Sequence, residues 1–390
     1  MKTKRALALS ILAGTLPQLT IAQEAFYGDP PDETHPWAVH DHNRPQPPRV
    51  EPGVGQDGVP SDAIVLFSGS DLEKNWLATK DPKGPARWDV VDGKILQCKP
   101  GTGDIITKEH FGDCQLHIEW AAPKEVKGNS QGRGNSGVFF MGRTEVQVLD
   151  NFNNPTYADG FAGSVYGVNP PMANALRAPG QFNVYDIVFR RPIFKDGKEV
   201  DPGRLTVFCN GVLVQDATPL EGGGGHRRRS TPRAFPETGP LKLQDHGNTT
   251  QFRNIWIRPL PPRSIEGGTD GQLSPEATTA KRKEIAAEIR DHARELIAAN
   301  NRQGGTMRLF ESLIYENDPA ILKEATGLAG EGIEHLEKMS PEQLENSKAG
   351  IMKVKNAFAY LAKHKIVPAD FPPLKSVEAV IEKQGWNKKK

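Results

Sequence analysis

The fold class is decided by residues 114–120, which read Cys114-Gln115-Leu116-His117-Ile118-Glu119-Trp120. Apolar and polar residues alternate here at almost every step. Because successive side chains of a β-strand point to opposite faces, this alternation predicts a strand with an apolar side against a core. Its other side carries His117 and Glu119. The stretch therefore indicates one strand of a sheet that is buried on one face.

Short strand-like runs of the same kind recur between residues 62 and 262. They are Ala63–Phe67, Lys94–Cys98, Gly137–Met141, Glu145–Leu149, Tyr185–Phe189, Leu205–Cys209, Leu241–His246 and Phe252–Ile257. The turn pairs Asp92-Gly93, Asp196-Gly197 and Asn210-Gly211 separate some of them, and the last two suit tight hairpins. Many short strands without helical patterns between them predict a mainly β domain, a β-sandwich or jelly roll.

The periodicity changes near residue 274. Ser274-Pro275-Glu276 and Ser340-Pro341-Glu342-Gln343 each combine an N-cap, a first-turn proline and an acidic residue. Apolar residues then recur at helical spacing: Ile285, Ile289, Ala293, Leu296 and Ile297 in the first segment, and Leu344, Ile351, Val354, Phe358 and Leu361 in the second. Residues 275–390 are therefore predicted to form a small α-helical C-terminal domain, joined by a linker over 263–274. It contains no catalytic constellation.

The N-terminal residues resemble an export signal. Basic residues precede the apolar run Ala6–Leu16, and small residues follow near Ala22. The run is shorter than the roughly 20 residues that span a bilayer, so residues 1–22 are predicted to be a cleaved signal peptide. A periplasmic or secreted protein without a membrane anchor is expected. Residues 23–61 are predicted to be a Pro-rich linker or arm. Its histidines His35, His40 and His42 are predicted to be exposed to solvent rather than to bind a metal.

Composition restricts the function classes. The 390 residues are 37% hydrophobic and 25% charged, with a formal net charge of +1, so nothing favours nucleic acid as a partner. The cysteines Cys98, Cys114 and Cys209 lack the close pairing of a metal knuckle. They are predicted to be small buried hydrophobes, with one disulfide, for example Cys98–Cys114, left open.

Polar side chains on the outward strand faces are the candidate functional residues. Alternation places Glu145 and Gln147 on one such face, Gln244 and His246 on another, and His117 on a third. The turn that begins at Arg133 and Asn135 adds a guanidinium and an amide. Polar outer faces are normal in sheets. The pattern therefore fits two interpretations of these faces, a substrate groove and a merely solvated surface.

Several motifs, taken in order, resemble the 3-keto-disaccharide hydrolase family, once a domain of unknown function. They are Asn135-Ser136-Gly137-Val138, Glu145-Val146-Gln147-Val148-Leu149-Asp150, Gly163 to Tyr166, Phe182-Asn183, Asn210-Gly211, Gly239-Pro240 through Leu243-Gln244-Asp245-His246-Gly247, and Phe252-Arg253-Asn254-Ile255. The resemblance covers about 200 residues and excludes the helical domain. It implies a concanavalin A-like jelly roll.

The resemblance further implies cleavage of glycosides that carry a ketone at sugar carbon 3. Such chemistry needs a base for the C2 hydrogen, a donor for the enolate oxygen and an acid for the leaving group. We assign the base to Glu145 or His246 and the enolate donor to Arg133 or His246. Substrate-binding positions are predicted at six residues: Asn135, Gln147, Gln244, Asp245, Tyr166 and His117. No cofactor is evident; a divalent cation could replace the donor, but no ligand spacing requires one.

Two other functions compete. The segment from Glu145 is faintly similar to the acidic strand of laminarinase-like glycosidases, which need two flanking carboxylates; here Gln147 stands at the middle position. A lectin-like carbohydrate-binding module is the second alternative, with Trp88 and Tyr166 as aromatic platforms. In each case the partner is a carbohydrate. The run Gly222–Gly225 lacks the features of a phosphate loop and is predicted to be a loop at the groove rim, from which His226 could reach the site.

Overall fold

The computed structural model describes residues 26, 28–54, 58–70, 72–81, 84–261, 263 and 273–387. The predicted signal peptide and most of the predicted 263–274 linker lie outside these residues. The chain divides into two compact units, Pro47–Gly271 and a second unit that joins the N-terminal residues up to Gln46 with those from Gln272 onward. The first is a β-sandwich and the second is helical, as the sequence predicts.

The described part of the first unit contains fifteen strands, one short α-helix and two 3₁₀ turns at Ser130–Gly132 and Ala158–Gly160. In chain order the strands and the α-helix are β1 (Ile64–Phe67), helix α1 (Leu72–Asn75), β2 (Trp76–Ala78), β3 (Asp89–Val91), β4 (Ile95–Gln97), β5 (Ile105–Phe111), β6 (Cys114–Ala121), β7 (Ser136–Phe140), β8 (Thr144–Val148), β9 (Asn183–Arg190), β10 (Ile193–Lys195), β11 (Lys198–Asp201), β12 (Arg204–Cys209), β13 (Val212–Pro219), β14 (Gly239–Leu243) and β15 (Gln251–Pro259).

Two antiparallel sheets form the layers of the sandwich. The eight-stranded sheet has the order β13-β12-β9-β6-β15-β4-β3, with β1 also paired to β15, and the five-stranded sheet has the order β2-β5-β14-β7-β8. A separate hairpin joins β10 to β11. All of these strand pairs are antiparallel, an arrangement that lets each sheet bury one face and present polar residues on the other.

The alternation in β6 determines which side of the eight-stranded sheet is buried. Leu116, Ile118 and Trp120 are fully buried in the core between the sheets. There the Trp120 ring packs edge-on against Tyr185 with centroids 5.4 Å apart. Phe140 of β7 stacks at 4.8 Å on a core phenylalanine of β9, which joins the two sheets. The predicted inward set is confirmed.

The three predicted turn pairs have the backbone that tight turns require. Both residues of Asp92-Gly93, Asp196-Gly197 and Asn210-Gly211 have φ between 51° and 80°. Two consecutive positive φ values define a type I′ turn, which matches the twist of the flanking strands and favours Asn-Gly or Asp-Gly. These turns set the registers of β3–β4, β10–β11 and β12–β13.

The helical unit contains α2 (Pro275–Ala298), α3 (Arg302–Ser312), α4 (Pro319–Glu337), α5 (Pro341–Lys363) and α6 (Pro372–Lys383). Both predicted N-caps are confirmed: the Ser274 hydroxyl accepts a hydrogen bond from a first-turn amide, and Ser340 forms a capping box with Gln343. Ile289 and Phe358 are buried on the predicted faces. The helices therefore pack on one another around a core of their own.

Part of the predicted N-terminal arm packs on the helices. Phe26 and Trp37 contact the helical core, and the hydroxyl of Tyr360 donates to the carbonyl of Gly28 at 2.9 Å. Tyr315 also donates to Asp41. Residues 28–46 are thus an arm bound to the helical unit.

All three cysteines are buried free thiols, so the disulfide left open above does not form in this structure. Burial raises the pKa of the Cys209 thiol to about 12 and also raises the pKa of Cys98 and of Cys114. Among the described residues, none of the helices is both apolar and long enough to cross a bilayer. Those residues also contain no cluster of histidines, cysteines and acids suited to a metal ion.

Candidate active site

The outward face of the five-stranded sheet carries the candidate site, and its strand register fixes the arrangement. Glu145 of β8 lies opposite Phe139 of β7, which lies opposite Lys242 of β14. Directly opposed residues of antiparallel strands share a face. Beyond the free edge of β8, the amide of Tyr166 donates to the carbonyl of Glu145 at 3.1 Å. The face therefore presents Tyr166, Glu145, Phe139 and Lys242 in that order.

A second row of residues runs beside the first. Gln147 lies opposite Gly137, and the amide of Gln244 donates to the carbonyl of Gly137 at 3.0 Å. Asp104 completes the row at the start of β5, where its Oδ1 accepts the amide of Asp245 at 2.9 Å. The two rows form a polar surface that crosses four strands.

Gly137 leaves the space that the Glu145 carboxyl occupies. A Cβ built on Gly137 would lie 2.2 Å from Oε1 of Glu145 and 2.7 Å from the ring of Phe139. Only glycine lets the carboxyl lie across β7 at this point. Burial raises the pKa of Glu145 to about 8; the cation of Lys242 opposes this effect and the charge of Asp104 adds to it. The carboxyl is therefore a proton acceptor of unusual strength for a glutamate.

Lys242 and Asp104 form an ion pair that the sequence analysis did not identify. Nζ of Lys242 lies 2.9 Å from Oδ2 of Asp104 and 3.7 Å from the centroid of the Phe139 ring. Alternation from Gln244 already predicts Lys242 on this face, but lysine is common on solvated surfaces and carries no distinctive signal. Asp104 precedes its strand, so alternation does not reveal it.

Tyr166 connects the sheet to the rim of the site. Its hydroxyl lies 2.8 Å from the hydroxyl of Tyr157 and 3.2 Å from Nδ1 of His226. Burial and the neighbouring phenol and carboxylates raise the pKa of Tyr166, so it stays a neutral O–H donor. The run Gly222–Gly225 lies beside it: a Cβ on Gly224 would lie 1.4 Å from the carbonyl oxygen of Tyr166. The prediction that this run lies at the rim and brings His226 near the site agrees with these contacts.

Gln147 is buried, and only part of its hydrogen-bonding capacity is used. Its Nε2 donates to Oε1 of Gln131 at 2.9 Å, whereas its own Oε1 is buried and has no hydrogen-bond partner among the described residues. A buried acceptor without a partner is costly. Asn135, also buried, donates to the carbonyl of Gln131 at 2.7 Å. These amides form an ordered polar wall in which the buried Oε1 of Gln147 has no partner among the described residues.

The sequence predicts that Arg133 lines the groove, but the structure holds its guanidinium in other contacts. Its Nε donates to Oδ2 of Asp150 at 2.7 Å, and its Nη2 donates to the carbonyl of Phe152 at 2.9 Å. The guanidinium is mostly buried against these partners. Sequence alone does not reveal this pair, because the partners come from separate segments. The enolate-donor prediction for Arg133 is therefore replaced by a structural role in holding the 150–152 loop.

Asp245 and His246 follow β14, which ends at Leu243 rather than continuing to His246 as predicted. Asp245 accepts the amides of Gly103 at 2.9 Å and Gly247 at 3.0 Å, which fixes two turns. His246 is exposed, and no contact joins its ring to Glu145 within the described chain. Of the two candidate bases, only Glu145 lies in the polar rows.

His117 lies on the outer face of the other sheet, so the prediction that it lines the same groove is corrected. Alternation predicts that a side chain faces outward, but it does not identify the sheet. Nδ1 of His117 lies 2.7 Å from Oδ1 of Asp186, its Nε2 lies 3.2 Å from Nδ2 of Asn254, and its ring stacks on Trp256 at 5.1 Å. Glu119 next to it is ion-paired with Arg253 at 2.7 Å.

This cluster is expected to stabilise the fold in a pH-dependent way. The pKa of His117 is raised to about 9: burial lowers it, and the hydrogen bonds and charges of Asp186 and Glu119 more than reverse that effect. The folded state then binds a proton that the unfolded state releases near its ordinary pKa of about 6.5. The stabilisation is complete below pH 6.5 and is lost as the pH rises through 9.

His117→Asn should therefore lower the free energy of unfolding by about 2 kcal/mol at pH 6, the order for hydrogen bonds to a charged group. The difference from wild type should shrink toward pH 9.5. Urea unfolding at both pH values measures it, with the exposed His246→Asn as the control. An equal loss at both pH values would contradict the charged state assigned to His117.

Comparison with known proteins agrees with the fold. A family model described as a 3-keto-alpha-glucoside-1,2-lyase-like domain matches residues 62–258. The chain belongs to this family. Within the chain, the β-sandwich is therefore a 3-keto-alpha-glucoside-1,2-lyase-like domain, as the resemblance of the motifs predicts.

Two relatives extend this result. A 3-keto-disaccharide hydrolase of Bacteroides thetaiotaomicron is 24% identical over an alignment of 247 residues; the match covers 52% of this chain and 81% of the relative. A solved structure of a proposed glycosyl hydrolase from Parabacteroides distasonis is 46% identical and has a TM-score of 0.53. That match covers 56% of this chain and 93% of the other. The domain is thus a carbohydrate-active domain of the glycosidase type with a jelly-roll fold.

Proposed function

We propose that the domain cleaves 3-keto-glycosides by elimination followed by hydration. The observation that supports this most is the half-buried Glu145 carboxyl, which lies over Gly137 with Tyr166 on one side and, beyond Phe139, Lys242 on the other. A sugar ring placed on this face with C2 above Glu145 has C3 and C1 as its two neighbouring carbons. The phenol of Tyr166 is then the donor on the C3 side, and the ammonium of Lys242 is the donor on the C1 side.

The proposed reaction proceeds in two stages. Glu145 removes the C2 proton, and the C2–H electrons form a C2=C3 bond while the carbonyl electrons move to the oxygen at C3, where Tyr166 donates a hydrogen bond. The electron pair on the enolate oxygen then re-forms the C3 carbonyl, the C2=C3 electrons form a C1=C2 bond, and the C1–O bond breaks. The leaving oxygen takes a proton from Lys242. Water later adds its oxygen at C1 and gives up a proton to Lys242, while Glu145 returns a proton to C2. Both groups regain their starting protonation states, and the net reaction is hydrolysis.

Direct glycoside hydrolysis receives less support from the same residues. That mechanism needs two carboxyl groups that both act on the scissile bond. Asp104 is a second acid on this face, but Lys242 Nζ occupies its Oδ2 and the Asp245 amide occupies its Oδ1. Glu145 is therefore the carboxyl available to react. The sequence does not reveal Asp104 as an acid on this face, and its two engaged oxygens still favour the keto-assisted route.

The lectin-like alternative loses one of its two aromatic platforms. Trp88 is buried, stacks on Phe252 at 5.8 Å, and donates from Nε1 to the carbonyl of Gly103 at 3.0 Å. Its ring belongs to the core. Tyr166 remains at the groove, where its hydroxyl is engaged with Tyr157 and His226.

The decisive experiment compares two chromogenic substrates. The purified protein should release the aglycone from a 3-keto-glucoside and should leave the unoxidised parent intact, because only the ketone acidifies the C2 hydrogen. Deuterium at C2 should slow release where proton removal limits the rate. Release from the parent would support direct hydrolysis instead, and binding of the keto compound without release would support a lectin. We further propose export to the periplasm or medium, which N-terminal sequencing of the secreted protein checks.

A further inference from the structure

A polar cavity of about 380 Å³ lies at the start of β5, beside the proposed reaction site. This volume falls within the range of small-molecule sites, roughly 300–1,000 Å³. Its lining residues come from three separate turns and are Thr79, Lys80, Gly101, Gly103, Asp104, Asp245 and Gly247. Asp104 belongs both to this cavity and to the Lys242 ion pair, so the cavity adjoins the polar rows.

The walls of the cavity are held by specific contacts. The backbone amide and the hydroxyl of Thr79 both donate to the carbonyl of Asp104, at 3.0 Å and 2.9 Å. Asp245 fixes the opposite wall through the amide of Gly103. The stem of Lys80 lies over Gly103, where a Cβ would come within 3.1 Å of Cε. Such contacts preorganise a site before any ligand arrives.

The lining determines the chemical class of the ligand. It consists of hydroxyl, carboxylate, ammonium and glycine backbone groups without a large apolar side chain, which suits a polyhydroxylated molecule. The two carboxylates, Asp104 and Asp245, disfavour an anion. The ammonium of Lys80 has no ion pair within the described chain, so its donors remain available to neutral hydroxyl groups.

We propose that this cavity binds the leaving-group sugar of a 3-keto-disaccharide; the inference rests on the proposed function. Neighbouring strands lie about 4.8 Å apart, and Lys242 is on the strand next to β5. A substrate whose C2 lies over Glu145 and whose glycosidic oxygen faces Lys242 would therefore extend its second ring toward Asp104 and Lys80. The cavity makes the preferred leaving group a sugar rather than a flat aromatic aglycone.

The test compares Lys80→Ala with Lys94→Ala, an exposed lysine outside the cavity. Each variant and the wild type are assayed on a 3-keto-disaccharide and on a 3-keto-glucoside with a nitrophenyl aglycone. We expect Lys80→Ala to lower kcat/KM for the disaccharide about tenfold, the order for loss of a hydrogen bond from a charged group. Its kcat/KM for the nitrophenyl substrate should stay within about twofold, and Lys94→Ala should affect neither.

The outcomes separate the two proposals. An equal loss on both substrates, or no loss on the disaccharide, overturns the leaving-sugar site while cleavage of the nitrophenyl compound still supports the proposed function. Absence of cleavage of either keto substrate by the wild type overturns both. Saturation-transfer NMR with free glucose supplies a readout without catalysis: the wild type should transfer saturation to the sugar, Lys80→Ala should transfer less, and equal transfer would overturn the proposed site.

Discussion

Glu145→Gln is expected to lower kcat for cleavage of a 3-keto-glycoside by roughly 10²–10⁴-fold, the usual contribution of a positioned general base. The amide keeps the size of the side chain over Gly137 but cannot accept the C2 proton. KM should change little, because the polar walls around the sugar remain. Single-turnover assays of the wild type and the variant on the nitrophenyl substrate measure the effect.

The pH dependence provides an independent check of the same residue. The base must be ionised, and the pKa of Glu145 is raised to about 8 by burial. In wild type, kcat/KM should therefore rise about tenfold per pH unit below 8 and level off above it. The residual activity of Glu145→Gln should lack this rise. A wild-type profile that is flat from pH 6 to 9 would contradict the assignment of the base.

Stability distinguishes loss of chemistry from loss of fold in this variant. Between pH 4.5 and 8 the folded protein holds a proton on Glu145 that the unfolded chain has released, so wild-type stability falls as the pH rises through that interval. Glutamine does not ionise. Glu145→Gln should thus be at least as stable as wild type at pH 7 in a thermal melt. An inactive variant that also melts much earlier would leave misfolding as the cause and contradict this account.

Gly137→Ala is expected to lower kcat by roughly 10²-fold, the scale for a displacement of about 1 Å of a catalytic group. The new methyl would lie 2.2 Å from the Glu145 carboxyl oxygen and 2.7 Å from the Phe139 ring. The flexible carboxyl must move away, whereas the strand backbone can keep its conformation because the φ of Gly137 is not positive. The expected result is a folded protein with a displaced base.

Gly132→Ala is the matched control for this variant. A Cβ on Gly132 meets no atom within 4 Å, and this glycine precedes the same strand by a few residues. Its kcat should stay within about twofold of wild type. A crystal structure of Gly137→Ala with the carboxyl unmoved and activity retained would show that Glu145 does not need this space.

Local patterns in the sequence predict much of this fold. Alternation in β6 identifies the buried set that includes Trp120, the Asn210-Gly211 pair predicts a type I′ turn, and Ser340 predicts the start of α5. Each of these features depends on neighbours within a few residues. The strand order of the two sheets depends instead on pairings between distant segments, which periodicity does not encode.

The residues of the site can also be predicted only in part from local sequence patterns. Alternation predicts that Glu145 and Gln147 face outward together, and the structure agrees. It predicts equally that His117 faces outward, but that strand belongs to the opposite sheet. Arg133 forms an ion pair with Asp150, and Lys242 forms one with Asp104. The partners in each pair are far apart in the sequence. The residues that flank Glu145 therefore become visible only when the strands are assembled.

The separated, buried thiols of the sandwich have a practical consequence. No covalent cross-link is required to reach the native state, and raised pKa values keep Cys98, Cys114 and Cys209 in the weakly reactive protonated form. The protein should consequently mature equally well in the reducing cytosol of an expression host and in an oxidising compartment. Purification should need neither reductant nor an oxidative refolding step.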